Sequence, residues 1–295
     1  MEAMIREMHA LVARHADTPP HARLPLRVSQ SAMPTPPTHA LYEPMLCFVL
    51  QGAKRVILGE RILDYRAGQF LVASVDLPVI GEVVEASAAQ PYRVVAMALD
   101  PAAIAALLID LPSAGAEEAH PGISIAAMTP DLIDPLLRMT RLLDAPGDVA
   151  VMAPMLEREI LYRVLQGPQG PILRQIARSD SRLSRVQRAI DWIRGHYAEP
   201  LRIEHLATLA GMSASAFHRR FKTVTAMSPL AFQKQIRLRE ARRRLIAAPA
   251  EAARIAYAVG YESPSQFSRE YARLFGLPPI RDAARLRGGG ALADA

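Results

Sequence analysis

The sequence predicts an α+β protein in two parts: short antiparallel strands in the first half and an all-helical double helix-turn-helix in the second. Three observations carry this reading. Between Met45 and Leu99, short runs of Val, Ile, Leu and aromatic residues alternate with the turn glycines Gly52, Gly59, Gly68 and Gly81. From Asp131 onward the apolar period becomes helical. Between Gly211 and Pro279 one phrase is written twice, "GMSASAFHRRFKTVTAMSP" and "GYESPSQFSREYARLFGLPP", at an offset that carries Ser213 to Ser263 and Arg219 to Arg269. A length of 295 residues suits about two domains, drawn here at 1–180 and 181–295.

The N-terminal "MEAMIREMHALVARHA" places Met4, Met8, Leu11 and Val12 on one face of a short amphipathic helix. Its acids and its lack of a continuous apolar stretch exclude a signal peptide. Residues 17–44 are rich in proline, which donates no amide to helix or sheet, and they read as an arm or linker. The β region, about 41–100, holds six or so short strands, enough for a small antiparallel barrel or sandwich. "VVAMALDPAAIAALLIDLP" is broken at Asp100-Pro101 into a strand and a helix, so it predicts no membrane span.

Two helices follow in about 131–166, "PDLIDPLLRMTRLLD" and "APMLEREILYRVLQG". The second carries Met155, Leu156, Ile160, Tyr162, Val164 and Leu165, more apolar surface than one helix buries alone. A homodimer contact and packing on the strands both account for it. Residues 167–182, interrupted by glycine and proline, read as a hinge.

In the first copy of the repeat (about 201–224), "LRIEHLATLAGM" is a helix ended by Gly211, and Ser213 caps the next. On that next helix Phe217, Phe221 and Val224 share one face, and Ser215, His218, Arg219 and Lys222 share the other. An apolar back with a donor-rich front suits the major groove, where Arg takes guanine O6 and N7 together. In the second copy (about 251–275) Phe267, Tyr271 and Phe275 turn inward, while Ser265, Gln266, Ser268 and Arg269 turn outward. Between the copies, about 229–248 predicts one continuous helix of roughly 30 Å. Successive major-groove faces on one side of B-DNA lie about 34 Å apart. The outward donors Ser215, His218 and Arg219 on the first copy and Ser265, Gln266, Ser268 and Arg269 on the second are thus available to base edges. Lys222, Lys234 and Arg237 are candidate phosphate contacts, and Lys234 and Arg237, like Arg239 and Arg242–Arg244, read either as such contacts or as a solvated face. Charge agrees with a polyanionic partner: residues 180–290 hold 20 Lys/Arg against 9 Asp/Glu, and the remainder holds 15 against 20.

Residues from about Ser184 to Arg287 resemble the DNA-binding domain of the AraC/XylS family of bacterial transcription regulators. The closing "GYESPSQFSREYARLFGLPP" is the most specific part of that likeness. After "GLPP" the family continues with a Tyr-Arg pair, where this chain reads "IRDAARLR". The stretch "YEPMLCFVLQGAKRVILGERILDYRAGQFLVASVDLPVIGEVVEAS" resembles the regulatory domain of one branch of that family. The resemblance implies a cupin-like antiparallel β-barrel followed by dimerising helices, and a cytoplasmic homodimer. It further implies double-stranded DNA, a small-molecule effector and RNA polymerase as partners; activator is the expected role, and the sequence itself leaves activation and repression both open.

The β region 45–99 contains no histidine, so the histidine metal centre of many cupin barrels is not expected, and no cofactor is. The single cysteine, Cys47, excludes an internal disulfide and suits a reducing compartment. It reads either as a small buried apolar residue or as a thiol that senses electrophiles or oxidants. Asp76, Glu82 and Glu85 read either as pocket-lining or as solvated. A barrel enzyme with an accessory DNA-binding domain is the competing reading, weakened by the lack of a catalytic constellation. A constitutive architectural DNA binder is a third, and it leaves the acidic half without a role.

Overall fold

A computed structural model describes residues 2–16, 18–19, 21–111, 120–178, 181–247 and 252–288. The chain divides into two compact units, Met1–Arg185 and Val186–Ala295.

The first unit opens with helix α1 (Glu2–His15), whose Met8, Leu11 and Val12 are buried as its amphipathic pattern predicts. Nine strands are described: β1 (Leu26–Ser31), β2 (Thr38–Tyr42), β3 (Met45–Gln51), β4 (Ala53–Leu58), β5 (Arg61–Arg66), β6 (Gln69–Ala73), β7 (Leu77–Glu85), β8 (Tyr92–Ala98) and β9 (Ile123–Ala127). They pair in two antiparallel sheets, of order β1-β8-β3-β6-β9 and β2-β7-β4-β5. The expected barrel is therefore not closed: among the described residues no ladder joins one sheet to the other. Two open layers bury their inner faces against each other without the tilt and shear that closure imposes.

The proline-rich arm also differs from expectation, because it contains β1 and β2. Both are edge strands, and Pro34, Pro36 and Pro37 fall in the connection between them. That is where a residue without an amide donor costs a sheet least.

Side-chain alternation gives β3 two different faces. Leu46, Phe48 and Leu50 join Met8, Leu11 and Val12 of α1 and several helical leucines in one core. Cys47 and Val49 point the other way, between the sheets.

Helix α2 (Pro101–Ile109) starts where the Asp100-Pro101 break predicts, with the Asp100 carboxylate accepting from the amide of Ala102 at 2.8 Å. In α3 (Pro130–Arg141) and α4 (Val149–Gln166), Leu136, Leu156, Ile160, Val164 and Leu165 are buried in the same core. Packing within the unit thus consumes most of the apolar surface expected at a dimer contact, leaving Val151, Met155 and Tyr162 exposed. The expected hinge contains a helix, α5 (Gly170–Ala177), with Ile172 and Leu173 in the core, and residues 179–180 of it lie outside the described residues.

Helix α6 (Arg182–Gly195) leads into the second unit. There follow α7 (Ile203–Leu209), α8 (Ala214–Thr225), α9 (Pro229–Ala247), α10 (Ala252–Ala258), α11 (Pro264–Phe275) and α12 (Pro279–Gly288). Residue 248, the expected end of the connector helix, Glu251, the expected start of the second copy, and 289–295 lie outside the described residues.

Helix α9 is a spine shared by both copies. Its Phe232 meets Phe221 of α8 edge-on at 5.5 Å. Further along the same helix Leu238, Ala241 and Leu245 pack with Phe267, Tyr271 and Phe275 of α11.

Candidate nucleic-acid interface and inter-sheet cluster

Each recognition helix is set by the same local devices. The turns after α7 and α10 pass through Gly211 and Gly260 at φ +61° and +89°. A side chain at Gly260 would also collide with the Ala198 carbonyl, at 2.2 Å from its Cβ. Ser213 accepts from the amide of Ala216 and Ser263 from that of Gln266, each at 3.3 Å, so both helices start capped.

With Phe217, Phe221 and Val224 buried, the 3.6-residue period leaves Ser215, His218, Arg219 and Lys222 exposed on the opposite face of α8. On α11, Phe267, Tyr271 and Phe275 are buried. Ser265, Gln266 and Arg269 are exposed, and Ser268 is half-buried at the edge. The side-chain amide of Gln266 donates to Glu270 Oε1 at 3.3 Å.

The cations of α9 are placed differently from expectation. Lys234 Nζ donates to Glu270 at 2.9 Å, and Tyr261 OH donates to the other oxygen of that carboxylate at 2.8 Å. Burial opposes the Glu270 charge, but these donors hold its pKa below the usual carboxylate range. Arg237 reaches the carbonyls of Tyr197, Gly260, Ala198 and Glu199 at 2.6, 2.8, 3.3 and 2.9 Å. It clamps the second turn to the segment after α6, so most of its donors are spent inside the fold rather than facing a phosphate.

Arg242 forms a fork with Asp282 at 2.8 and 3.2 Å and stacks over Phe275 at 4.5 Å. Arg243 and Arg244 both engage Glu240. Arg239 is so enclosed that burial, with Arg242 adding to it, lowers its pKa to about 9. An isolated helix predicts solvated arginines here; tertiary packing turns most of them into internal ties.

The first unit contains a second polar constellation that reading the sequence left unnoticed. Strand parity puts Lys54 of β4 on the same face as Val56 and Leu58, and opposite Tyr65 of β5. Tyr42 of β2 pairs with Leu77 on that inward face. From the other sheet, Cys47 and Tyr92 point into the same space: Cys47 pairs with Ala96, and Tyr92 shares the parity of Ala96 on β8. Cys47 Sγ lies 3.5 Å from Tyr65 OH. Lys54 Nζ lies 5.6 Å from the centre of the Tyr42 ring.

Burial pushes the Cys47 thiol up, and Lys54 and Tyr65 offset this only in part, so at neutral pH it is a thiol rather than a thiolate. Burial likewise holds Tyr65 and Tyr92 far above the ordinary phenol range, as donors. Burial penalises the Lys54 ammonium, but Tyr42 and Cys47 beside it hold it above the usual lysine value, and it stays charged.

The carboxylates of this unit lie apart from the cluster or are engaged elsewhere. Asp76 is buried, Glu82 ion-pairs with Arg55 at 3.5 Å, and Glu85 is exposed. Among the described residues no group of three or more His, Cys, Asp or Glu side chains is arranged to hold a metal ion. No helix among them is long and apolar enough to cross a membrane.

Residues 24–172 match the family model of the AraC-type transcriptional regulator N-terminus, and 206–285 match a helix-turn-helix domain model. The transcriptional activator RhaS of Pectobacterium carotovorum is 30% identical over 105 residues, 36% of this chain and 38% of that one. The transcriptional regulator ExsA of Pseudomonas aeruginosa is 30% identical over 165 residues, 56% of this chain and 59% of that one. The chain thus spans between about two-fifths and three-fifths of the length of these curated relatives. Crystal structures of ToxT from Vibrio cholerae share the fold at 9% identity. One has a TM-score of 0.54 and covers 90% of this chain and 99% of ToxT. Another, with unsaturated fatty acid bound, has a TM-score of 0.50 and covers 90% and 96%.

Proposed function

Because the chain belongs to the AraC/XylS family of transcription regulators, we propose that it is a sequence-specific DNA-binding regulator that reads two successive major-groove segments. The observation that carries this is the pair of capped helices α8 and α11, each with an aromatic back and an exposed donor face, joined by one rigid helix. At about 1.5 Å per residue, the 19 residues of α9 give a connector close to the roughly 34 Å repeat of the major groove.

Ser215, His218 and Arg219 read one segment in this proposal, and Ser265, Gln266, Ser268 and Arg269 read the next. Lys222 supplies a phosphate contact. Lys234 is a second-rank candidate because Glu270 holds it, and Arg237 supports the second turn instead. The first unit senses a small molecule and shifts the equilibrium between two states of the regulator.

A homodimer formed through the exposed Val151, Met155 and Tyr162 face of α4, acting in the cytoplasm as an activator through RNA polymerase, completes the reading. RhaS, 30% identical over 105 residues, carries the name of an activator. A catalytic role for the first unit is not favoured: Cys47, between the sheets, is a protonated thiol whose hydrogen-bond partner is the Tyr65 hydroxyl, not a histidine base.

Footprints of Arg219→Ala and Arg269→Ala test the reading. Each variant loses about 1–3 kcal/mol of base discrimination, at positions about one helical turn apart. Relaxation at the same base pairs in both variants defeats the two-segment model.

A further inference from the structure

Glu270 stands on α11 one turn beyond Gln266 and gathers three donors. Tyr261 OH reaches one carboxylate oxygen at 2.8 Å, and Lys234 Nζ and the Gln266 side-chain nitrogen reach the other at 2.9 and 3.3 Å. Two of those donors come from outside the helix, from the turn before α11 and from α9. The Glu270 side chain is only 16% exposed, so the fold rather than solvent sets the place of this acceptor. Burial penalises its charge, but the donors outweigh that and keep it ionised.

An ionised carboxylate accepts hydrogen bonds and cannot donate them. Of the two ends of the Gln266 amide only the NH2 can therefore face Glu270, and Oε1 is turned away from it. The backbone of Gln266 is fixed as well, since its N–H donates to the Ser263 cap at 3.3 Å. Gln266 is exposed in the first turn of α11, where a recognition helix meets base edges. Its NH2 carries two hydrogens, and Glu270 takes one. Oε1 and the second N–H remain together as an acceptor and donor pair, the complement of adenine N6 and N7. Turned over, the same amide would offer a donor where the acceptor was, which suits guanine O6.

The repeat shows that the two residues go together. At the offset that carries Ser213 to Ser263, the first copy has Ala216 and Arg220 in their places. Where the glutamine is missing, so is the carboxylate, while the serine cap, the aromatic back and the outward arginine stand in both copies.

We propose that Glu270 is a positioning residue for DNA readout: it locks the Gln266 amide with Oε1 outward and so makes Gln266 a reader of adenine in the second segment. Glu270 itself touches no base. Lys234 belongs to the same device, because it offsets a negative charge that the phosphate backbone would otherwise repel. This deepens the two-segment reading above and rests on it.

The test selects binding sites from randomised duplex DNA with the full chain and compares wild type, Gln266→Ala and Glu270→Gln. Wild type is expected to prefer adenine over guanine by about tenfold at one position of the second segment, and Gln266→Ala to lose that preference alone. Glu270→Gln keeps the length and still accepts from Lys234 and Tyr261 through its amide oxygen, but it presents an NH2 that can turn Gln266 over. It is expected to bring adenine and guanine at that position to within about threefold of each other, and to leave the position read by Arg269 unchanged. Lys234→Met with Glu270→Leu, which removes both charges at once, is expected to relax the same position and serves if Glu270→Gln fails to fold. A second measurement needs no change at Glu270. Purine in place of the selected adenine, lacking the N6 amino group, is expected to weaken wild-type binding several-fold and to leave Gln266→Ala indifferent.

The proposal is overturned if the Glu270 variants keep the wild-type preference for adenine. It is overturned equally if they relax every position of the second segment together, the mark of a merely structural carboxylate. Gln266→Ala changing no position, or purine binding as adenine does, also defeats it. Those results leave the two-segment reading standing. Selection of no sequence by the wild type removes both.

Discussion

The two helix-turn-helix copies share a phrase but differ in one of the forces that hold them. The first is fastened by aromatic contact: Phe217, Phe221 and Phe232 are fully buried, with successive ring centres 5.5 Å apart. The second has the same aromatic packing, with Phe267, Tyr271 and Phe275 in successive contact, and adds a buried polar network to it. Tyr271, which stands where the first copy has Phe221, donates its hydroxyl to Asp282 at 3.0 Å. Arg242 and Arg285 reach the same fully buried carboxylate. One added oxygen on an aromatic ring thus obliges the second copy to supply a partner, and α12 supplies it. A recognition helix needs a fixed back, and apolar packing fixes it alone or together with a satisfied polar network, with different sensitivities to mutation and pH.

The largest expected effect breaks the comparison at its polar end. Asp282→Ala strands Arg242 and the Tyr271 hydroxyl and is expected to cost about 3–5 kcal/mol. Hydrogen exchange should then show α10–α12 opening while α7 and α8 stay protected. Uniform loss of protection across both copies means that they fold as one cooperative block. Tyr271→Phe and Arg242→Met combined with Asp282→Leu, an apolar imitation of the first copy, is expected to recover much of that loss.

A smaller effect separates ties inside the fold from contacts with DNA. Arg237→Met removes the donor to the Gly260 carbonyl of the second turn and to those of residues 197–199, and is expected to destabilise by about 2–3 kcal/mol. Lys222→Ala is expected to leave the unfolding midpoint unchanged. It should lower the slope of log affinity against log salt by about 0.9, the value of one phosphate contact. The reverse pattern, with Arg237→Met stable and shallow in salt, restores Arg237 as a phosphate ligand.

The helix ends give a mirror-image pair of about 1 kcal/mol. After α8 the left-handed cap is Ala226 at φ +57°, and after α11 it is Gly276 at φ +78°. Ala226→Gly is expected to stabilise the first copy and Gly276→Ala to destabilise the second, both read by thermal unfolding.

The subtlest difference is in acid. Burial raises the Asp282 pKa, but the fork from Arg242 and the bonds from Arg285 and Tyr271 bring it below the ordinary value. A depressed folded pKa stabilises fully above the unfolded value, about 3.9 for Asp. That stability is lost as pH falls through the folded value. Glu240 and Glu270 shift in the same direction. Below about pH 4 the second copy should therefore weaken before the aromatic first copy, and proteolysis at graded pH reads the order.

What sequence alone determined was local. Period 2 and period 3.6, the caps Ser213 and Ser263, the turn glycines and the repeat located strands β3 to β8, though not β1, β2 or β9, and both helix-turn-helix copies with the outward faces carrying Arg219 and Arg269. These signals are written in residues within one or two turns of each other, where backbone geometry acts without reference to distant chain. Tertiary structure decided whatever depends on a partner far away in sequence. Arg237 reads as one more exposed cation until the carbonyls of residues 197–199 and Gly260 close around it. The strands are compatible with barrel or sandwich until pairing settles two open sheets, because register is a contest among all strands at once. Lys54 was legible only as a misfit in the alternation of "KRVIL". That Tyr42, Cys47, Tyr65 and Tyr92 surround it follows from bringing β2, β3, β5 and β8 together, and no local rule encodes a meeting of four strands.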